Sequence, residues 1–122
     1  VTPTQFNELK PIRNPLVDWK RVGERVEVLA KPQRRGLLTK ISLAPEMIKY
    51  KLDEIGATVW ELCDGEHTCK DIVESLCKKY KFIKREAELS LMSYMQMLSA
   101  RNLIGFVKPR PSDEGERGLS DL

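Results

Sequence analysis

The sequence predicts an α+β domain with its strands first and its helices after them, and three observations predict it. Apolar and polar residues alternate with a period of two through residues 16–52, the period changes to that of helices at Asp53, and the breaks between segments are short, readable turns. At 122 residues and 14.0 kDa the chain has room for one ordinary domain with one core.

In the strand half, Val26, Val28 and Ala30 alternate with Glu27, Leu29 and Lys31. Residues 38–43 and 47–52 repeat the pattern, the latter with Ile48, Tyr50 and Leu52 on one face and Lys49 and Lys51 on the other. The breaks "KPQRRG" and "APE" both contain proline, and "APE" is short enough to make residues 38–44 and 47–52 adjacent antiparallel strands. "LVDWKR" supplies the first arm of an additional N-terminal hairpin that turns at Val22-Gly23-Glu24.

The helical half begins with Asp53 as N-cap and Glu54 in the first turn, with Ile55, Val59, Leu62 and Cys63 on one face and Asp64-Gly65 as the stop. Thr68 and Asp71 have the spacing of a capping box and open a second helix, whose buried stripe is Ile72, Val73, Leu76, Cys77 and Tyr80. A third helix runs over residues 84–101 with Ala87, Leu91, Tyr94, Met95 and Leu98 inward. Ile83 stands where a Ser, Thr or Asp cap is preferred, a cost of about 1 kcal/mol. Asn102 suits a left-handed C-cap, and "LIGFV" after it either adds a short strand or covers the core. Three strands followed by three tightly connected helices form a winged-helix-like layout.

Composition divides the chain into a weakly ordered N-terminal segment at 1–15, the domain at 16–107 and a disordered acidic tail at 108–122. Phe6, Leu9 and Ile12 are available to lie on the body. Residues 111–122 hold four acidic side chains and one arginine, so the rest of the chain carries 20 basic and 14 acidic groups. That body attracts acidic partners but is far from the dense basic stripe of a dedicated nucleic-acid binder.

Several function classes fall away. No apolar run approaches the roughly 20 residues that span a bilayer, so no membrane association is expected. "VTPTQFNELKPIRN" lacks the basic start and apolar core of a secretory signal, and three cysteines cannot all pair, which points to a reducing cytoplasm. Cys63, His67, Cys69 and Cys77 are the ligand types of a zinc site, but no paired CxxC knuckle is present and the cysteines fall on or beside inward helix positions, where they serve as small buried hydrophobes. No metal or other cofactor is expected. A lone histidine without a nucleophile, an orienting carboxylate or a phosphate-cradling loop gives no catalytic constellation, and "CDGEH" reads as a turn that sets the angle between two helices.

The third helix carries Leu89, Met92 and Met97 beyond its core face. Methionine adapts to varied partners, so this surplus marks either a binding groove or a surface covered by the N-terminal segment, and periodicity does not choose between them.

Specific residues then carry a resemblance. Leu52-Asp53 with Gly56, "WELCDG" at Trp60–Gly65, Thr68 with Asp71-Ile72, and an aromatic and apolar third helix before Asn102-Leu103 resemble the PqqD family over about residues 25–107, most closely over 52–80. The family usually has Gly-Leu where this chain has Asn102-Leu103, a polar cap at Ile83, and often an acidic residue at Ser90.

The resemblance implies a non-catalytic peptide chaperone, a RiPP recognition element that holds the leader of a ribosomally made precursor and presents its core to a modifying enzyme, often a radical SAM protein. On that reading the peptide adds as a strand along Met47, Ile48, Lys49, Tyr50, Lys51 and Leu52, about 20 Å of edge, and its side chains meet Lys84, Arg85, Leu89, Met92 and Gln96 on the third helix. The lysines and the arginine favour acidic leader residues. Free strand edges also leave homodimer pairing open. The alternative is a winged-helix DNA-binding regulator. Against it, the exposed third-helix positions Glu86, Glu88, Ser90, Ser93 and Gln96 leave only Lys84 and Arg85 for phosphates, so nucleic acid is not the expected partner.

Overall fold

The alternation at Val26, Val28 and Ala30 builds the central strand of the fold. The computed structural model describes residues 3–31 and 47–107. Helix α1 (Pro3–Glu8) and strand β1 (Pro11–Arg13) lead into β2 (Asp18–Val22), β3 (Arg25–Ala30) and β4 (Ile48–Leu52), followed by α2 (Glu54–Leu62), α3 (Cys69–Tyr80), α4 (Lys84–Ala100) and β5 (Ile104–Phe106). The main sheet is antiparallel in the order β2-β3-β4, the three-stranded α+β arrangement the patterning predicts. The strand expected at residues 38–44, with its pairing to 47–52, lies outside the described residues; among those described, the partner of β4 is β3.

Gly23 and Glu24 form the two-residue turn between β2 and β3, with Gly23 at φ +64° and Glu24 on the ordinary side of the map. A glycine with positive φ at the first of two central positions is the type II′ choice, whose twist matches that of the flanking strands. The inward side chains Val26, Val28 and Leu52 meet Trp60, Ile72, Leu76, Leu91, Leu98 and Leu103 in one core.

The helix caps follow the sequence closely. Asp53 accepts from the Gly56 N–H at 2.8 Å. Thr68 and Asp71 exchange both capping-box bonds, at 3.0 and 3.1 Å. Ile83 caps nothing with its own side chain, but Glu86 accepts from the Ile83 N–H at 3.2 Å and recovers part of the loss. Asn102 takes the left-handed conformation at φ 58°.

The N-terminal residues add structure the composition does not announce. β1 pairs with β5, the Cys69 N–H donates to the Leu9 carbonyl at 2.8 Å, and Phe6 and Leu9 pack against the core. Arg13 donates to the Trp60 and Glu61 carbonyls, both at 2.9 Å, and so satisfies the end of α2. "LIGFV" therefore yields a strand. Helix α1 lies on α3, and Leu89 and Met92 stay exposed on α4.

Candidate functional site

The type II′ turn fixes which backbone groups of β4 are free. In a two-residue hairpin the flanking pair, here Val22 and Arg25, exchanges both hydrogen bonds, and bonded pairs recur at every second residue. Arg25, Glu27 and Leu29 therefore turn their N–H and C=O groups toward β2, and Val26, Val28 and Ala30 turn theirs toward Leu52, Tyr50 and Ile48 of β4. The backbone groups of Lys49 and Lys51 are left pointing away from β3. Among the described residues no strand meets them.

Helix α4 is pinned alongside this strand at two points. The Tyr94 hydroxyl donates to Asp53 Oδ1 at 2.7 Å, and the Arg101 guanidinium lies 5.6 Å from the centre of the Tyr50 ring. From Tyr50 to Asp53 is about 10 Å of extended chain, and from Arg101 back to Tyr94 is about 10.5 Å of helix. Strand and helix thus run side by side in opposite directions, with Met97 between the two pins. Gly56 makes the approach possible, because a Cβ there would stand 3.0 Å from Tyr94 Cε1. Burial, and then the bond to Asp53, push the Tyr94 hydroxyl well above the ordinary tyrosine range, so it stays a donor. Tyr94→Phe is expected to lower stability by about 1–2 kcal/mol and to loosen the start of α2, read as a lower denaturant midpoint and faster amide exchange at Gly56. An unchanged midpoint would mean that the bond contributes nothing.

On the outer face of the sheet, Glu27 stands between Lys20 at 3.9 Å and Lys49 at 3.7 Å. Lys51 has no ion-pair partner among the described residues. Arg101 has none either, donating only to the Met97 carbonyl at 3.3 Å. Among the described residues, the free positive charge beside β4 is therefore Lys51 on the outer face and Arg101 on the helix side.

Of the residues the sequence assigns to the site, Ile48, Lys49, Tyr50, Lys51 and Leu52 form β4, with Met47 just before it. The structure does not bring the α4 residues alongside them. Lys84, Arg85 and Leu89 lie N-terminal to Tyr94, beyond the end of β4, and Lys84 is about 25 Å along the helix from Arg101. Met92 and Gln96 turn away from Met97 by roughly 100° or more around the axis. Lys84 instead lines a cavity of about 370 Å³ with Asn7, Val73, Cys77 and Glu88. The flank beside β4 is Tyr94, Met97 and Arg101. Their spacing already places them on one stripe; what the sequence lacks is which stripe faces the sheet.

The segment "CDGEH" is a built turn. Asp64 accepts from the Glu66 and His67 N–H groups at 2.9 and 3.1 Å and pairs with His67 Nδ1 at 2.8 Å. Gly65, at φ +79°, donates to the Pro11 carbonyl and ties the turn to β1. Burial pushes the Cys63 thiol up to about 12 and the Cys69 thiol up to about 11, which keeps both protonated, the reverse of what a metal ligand or nucleophile requires. Among the described residues no cluster of His, Cys, Asp and Glu has the geometry to hold a metal ion.

Partial burial works to raise Asp64, but the bonds from Glu66 and His67 outweigh it and hold the carboxyl below its ordinary value of about 3.9. A depressed folded-state pKa contributes stability above the unfolded value that is lost as pH falls through the folded one. Acid unfolding below about pH 4 is accordingly expected to be shallower in Asp64→Asn than in the parent, with Asp64→Ala about 1 kcal/mol less stable at neutral pH. Identical acid profiles would contradict the assignment.

Two comparisons bear on this geometry. The family model for coenzyme PQQ synthesis protein D, PqqD, matches residues 40–104, just over half of the chain. Curated proteins give no match. Among solved structures, the chain is similar to TbiB1 in complex with the TbiA(beta) leader peptide, at 19% identity and a TM-score of 0.59 over 80% of this chain and 99% of that one. At that identity the likeness concerns the fold.

Proposed function

The chain belongs to the PqqD family, and from that premise we propose that it is a non-catalytic peptide chaperone that binds the leader of a ribosomally made precursor by strand addition. The observation that carries the reading is the β4 edge, with the backbone groups of Lys49 and Lys51 directed outward and α4 held beside it through Tyr94 and Arg101. An added strand gains main-chain hydrogen bonds from that edge, while its alternate side chains meet Tyr50, Met97 and Arg101. The similar TbiB1 structure, whose name describes a complex with a leader peptide, supports the same choice of ligand.

On this reading Met47 to Leu52 form the docking edge, and Lys84 and Arg85 act at longer range, favouring acidic peptides by charge. The bound leader is handed to a modifying enzyme, of which a radical SAM maturase is our proposed example, in the cytoplasm. No helix among the described residues is long and apolar enough to cross a membrane.

An NMR titration of the labelled protein with synthetic leaders of precursor peptides encoded near its gene tests the proposal, with a random DNA duplex as the parallel sample. Shifts centred on Lys49, Lys51 and Arg101 with a peptide are expected. Response to the duplex alone, weakening steeply with salt, would favour the DNA-binding alternative. Concentration-dependent shifts at the same edge without peptide would assign it to a homodimer instead.

A further inference from the structure

We propose that Arg101 selects the sequence of the bound peptide, by demanding a carboxylate side chain at the one position that faces Tyr50 on the helix side of β4. The proposal rests on the strand-addition reading above and adds to it the chemical identity of one peptide position.

The argument begins with what each nearby cation already does. Lys49 is engaged by Glu27, and its side chain, like that of Lys51, lies on the outer face of the sheet. Lys84 and Arg85 stand beyond the end of β4. Among the described residues, Arg101 alone brings a positive charge to the helix side of the strand, at its middle residue, where the Tyr50 ring lies 5.6 Å from the guanidinium. The acidic group one residue past the strand, Asp53, accepts from the Tyr94 hydroxyl and the Gly56 N–H through Oδ1 and forms no ion pair with Arg101. Apart from the Met97 carbonyl, the guanidinium has no hydrogen-bond partner among the described residues.

A cation–π contact with an aromatic ring positions a guanidinium while leaving its N–H groups available, the arrangement suited to receiving a carboxylate in two parallel hydrogen bonds. A strand added to the outward backbone groups of Lys49 and Lys51 places alternate side chains on the Tyr50 side, within about 5 Å of that residue. Geometry therefore offers a carboxylate on one peptide residue to Arg101, and Met97, one helical turn back, meets an apolar side chain two residues along the peptide. Lysine in place of Arg101 would lack the planar fork, so the selection belongs to arginine and not to positive charge in general.

The test is a selection from a displayed library of random linear peptides, run in parallel on the parent, Arg101→Gln and Arg101→Glu. Amide spectra first establish that each variant is folded, which is expected because Arg101 is exposed and follows the last residue of α4. Parent-selected peptides are expected to carry Asp or Glu at one fixed register position, and a Glu→Gln change there in a synthetic copy to weaken binding roughly tenfold. With Arg101→Gln that discrimination falls to about onefold, and Arg101→Glu selects Lys or Arg at the same position. Peptides that bind the β4 edge equally well with Glu or Gln there would overturn the role of Arg101 and leave strand addition standing. A parent protein that enriches no peptide and shows no shift at Lys49 or Lys51 would overturn both.

Discussion

Replacing Lys49 by proline leaves the domain folded and weakens leader binding at least about tenfold, or about 1.4 kcal/mol, whereas Lys49→Ala changes the affinity little. The contrast follows from the direction of the backbone. The Lys49 N–H points away from β3, so its loss removes no bond of the sheet, and proline is tolerated on edge strands for that reason. A peptide strand needs that donor, and the pyrrolidine ring also occupies the space the peptide backbone would enter. The Lys49 side chain is already paired with Glu27 on the outer face, so its removal by alanine costs the peptide little. Tyr50→Pro supplies the opposite control: that N–H faces β3, and its loss should damage the fold itself. Isothermal titration with a leader peptide, beside thermal melts of the three variants, separates these outcomes. Equal affinities for Lys49→Pro and the parent would mean that the peptide does not pair with β4.

The second large effect is on stability. Trp60 is fully buried between the sheet and the helices, with the ring of Trp19 edge-on at 6.1 Å. Trp60→Ala is expected to cost about 3–5 kcal/mol, a large share of the 5–15 kcal/mol that typically holds a domain together. The indole N–H has no hydrogen-bond partner among the described residues, so Trp60→Phe removes an unsatisfied buried donor along with some volume and should cost less than half as much. Denaturant unfolding of the three proteins gives the comparison. A Phe variant as unstable as the Ala variant would show that the indole N–H is satisfied after all.

Local signals made much of this fold legible. Gly23 marked the hairpin, Asp53 and the Thr68–Asp71 pair marked two helix starts, and strand alternation identified Val26, Val28 and Leu52 as core. These features depend on residues a few positions apart, and the chemistry that forms them is written in those residues. The pairing of β1 with β5 was not legible, because three-residue strands containing Pro11 and Gly105 carry no period and the contact joins residues more than ninety positions apart.

The site was half legible for the same reason. Alternation identified the strand, including the lysine face and the tyrosine face. On the third helix, surplus apolar residues drew attention to Leu89 and Met92, yet the flank that faces β4 is set by Tyr94 reaching Asp53 and Arg101 reaching Tyr50. Those contacts join residues some fifty positions or about forty apart in sequence, beyond any helical period. The helical period places Tyr94 on the inward face, and its ring is half-buried there, but its hydroxyl is what aligns helix and strand.

Hydrogen exchange at single-residue resolution, with and without a saturating leader peptide, tests the central claim most directly. Strand addition predicts that the Lys49 and Lys51 amides exchange freely in the unbound protein and become strongly protected in the complex, while Tyr50 and Leu52, already bonded to β3, change little. Lys49 and Lys51 amides that exchange at the same rate in both states, with a peptide demonstrably bound, would contradict it.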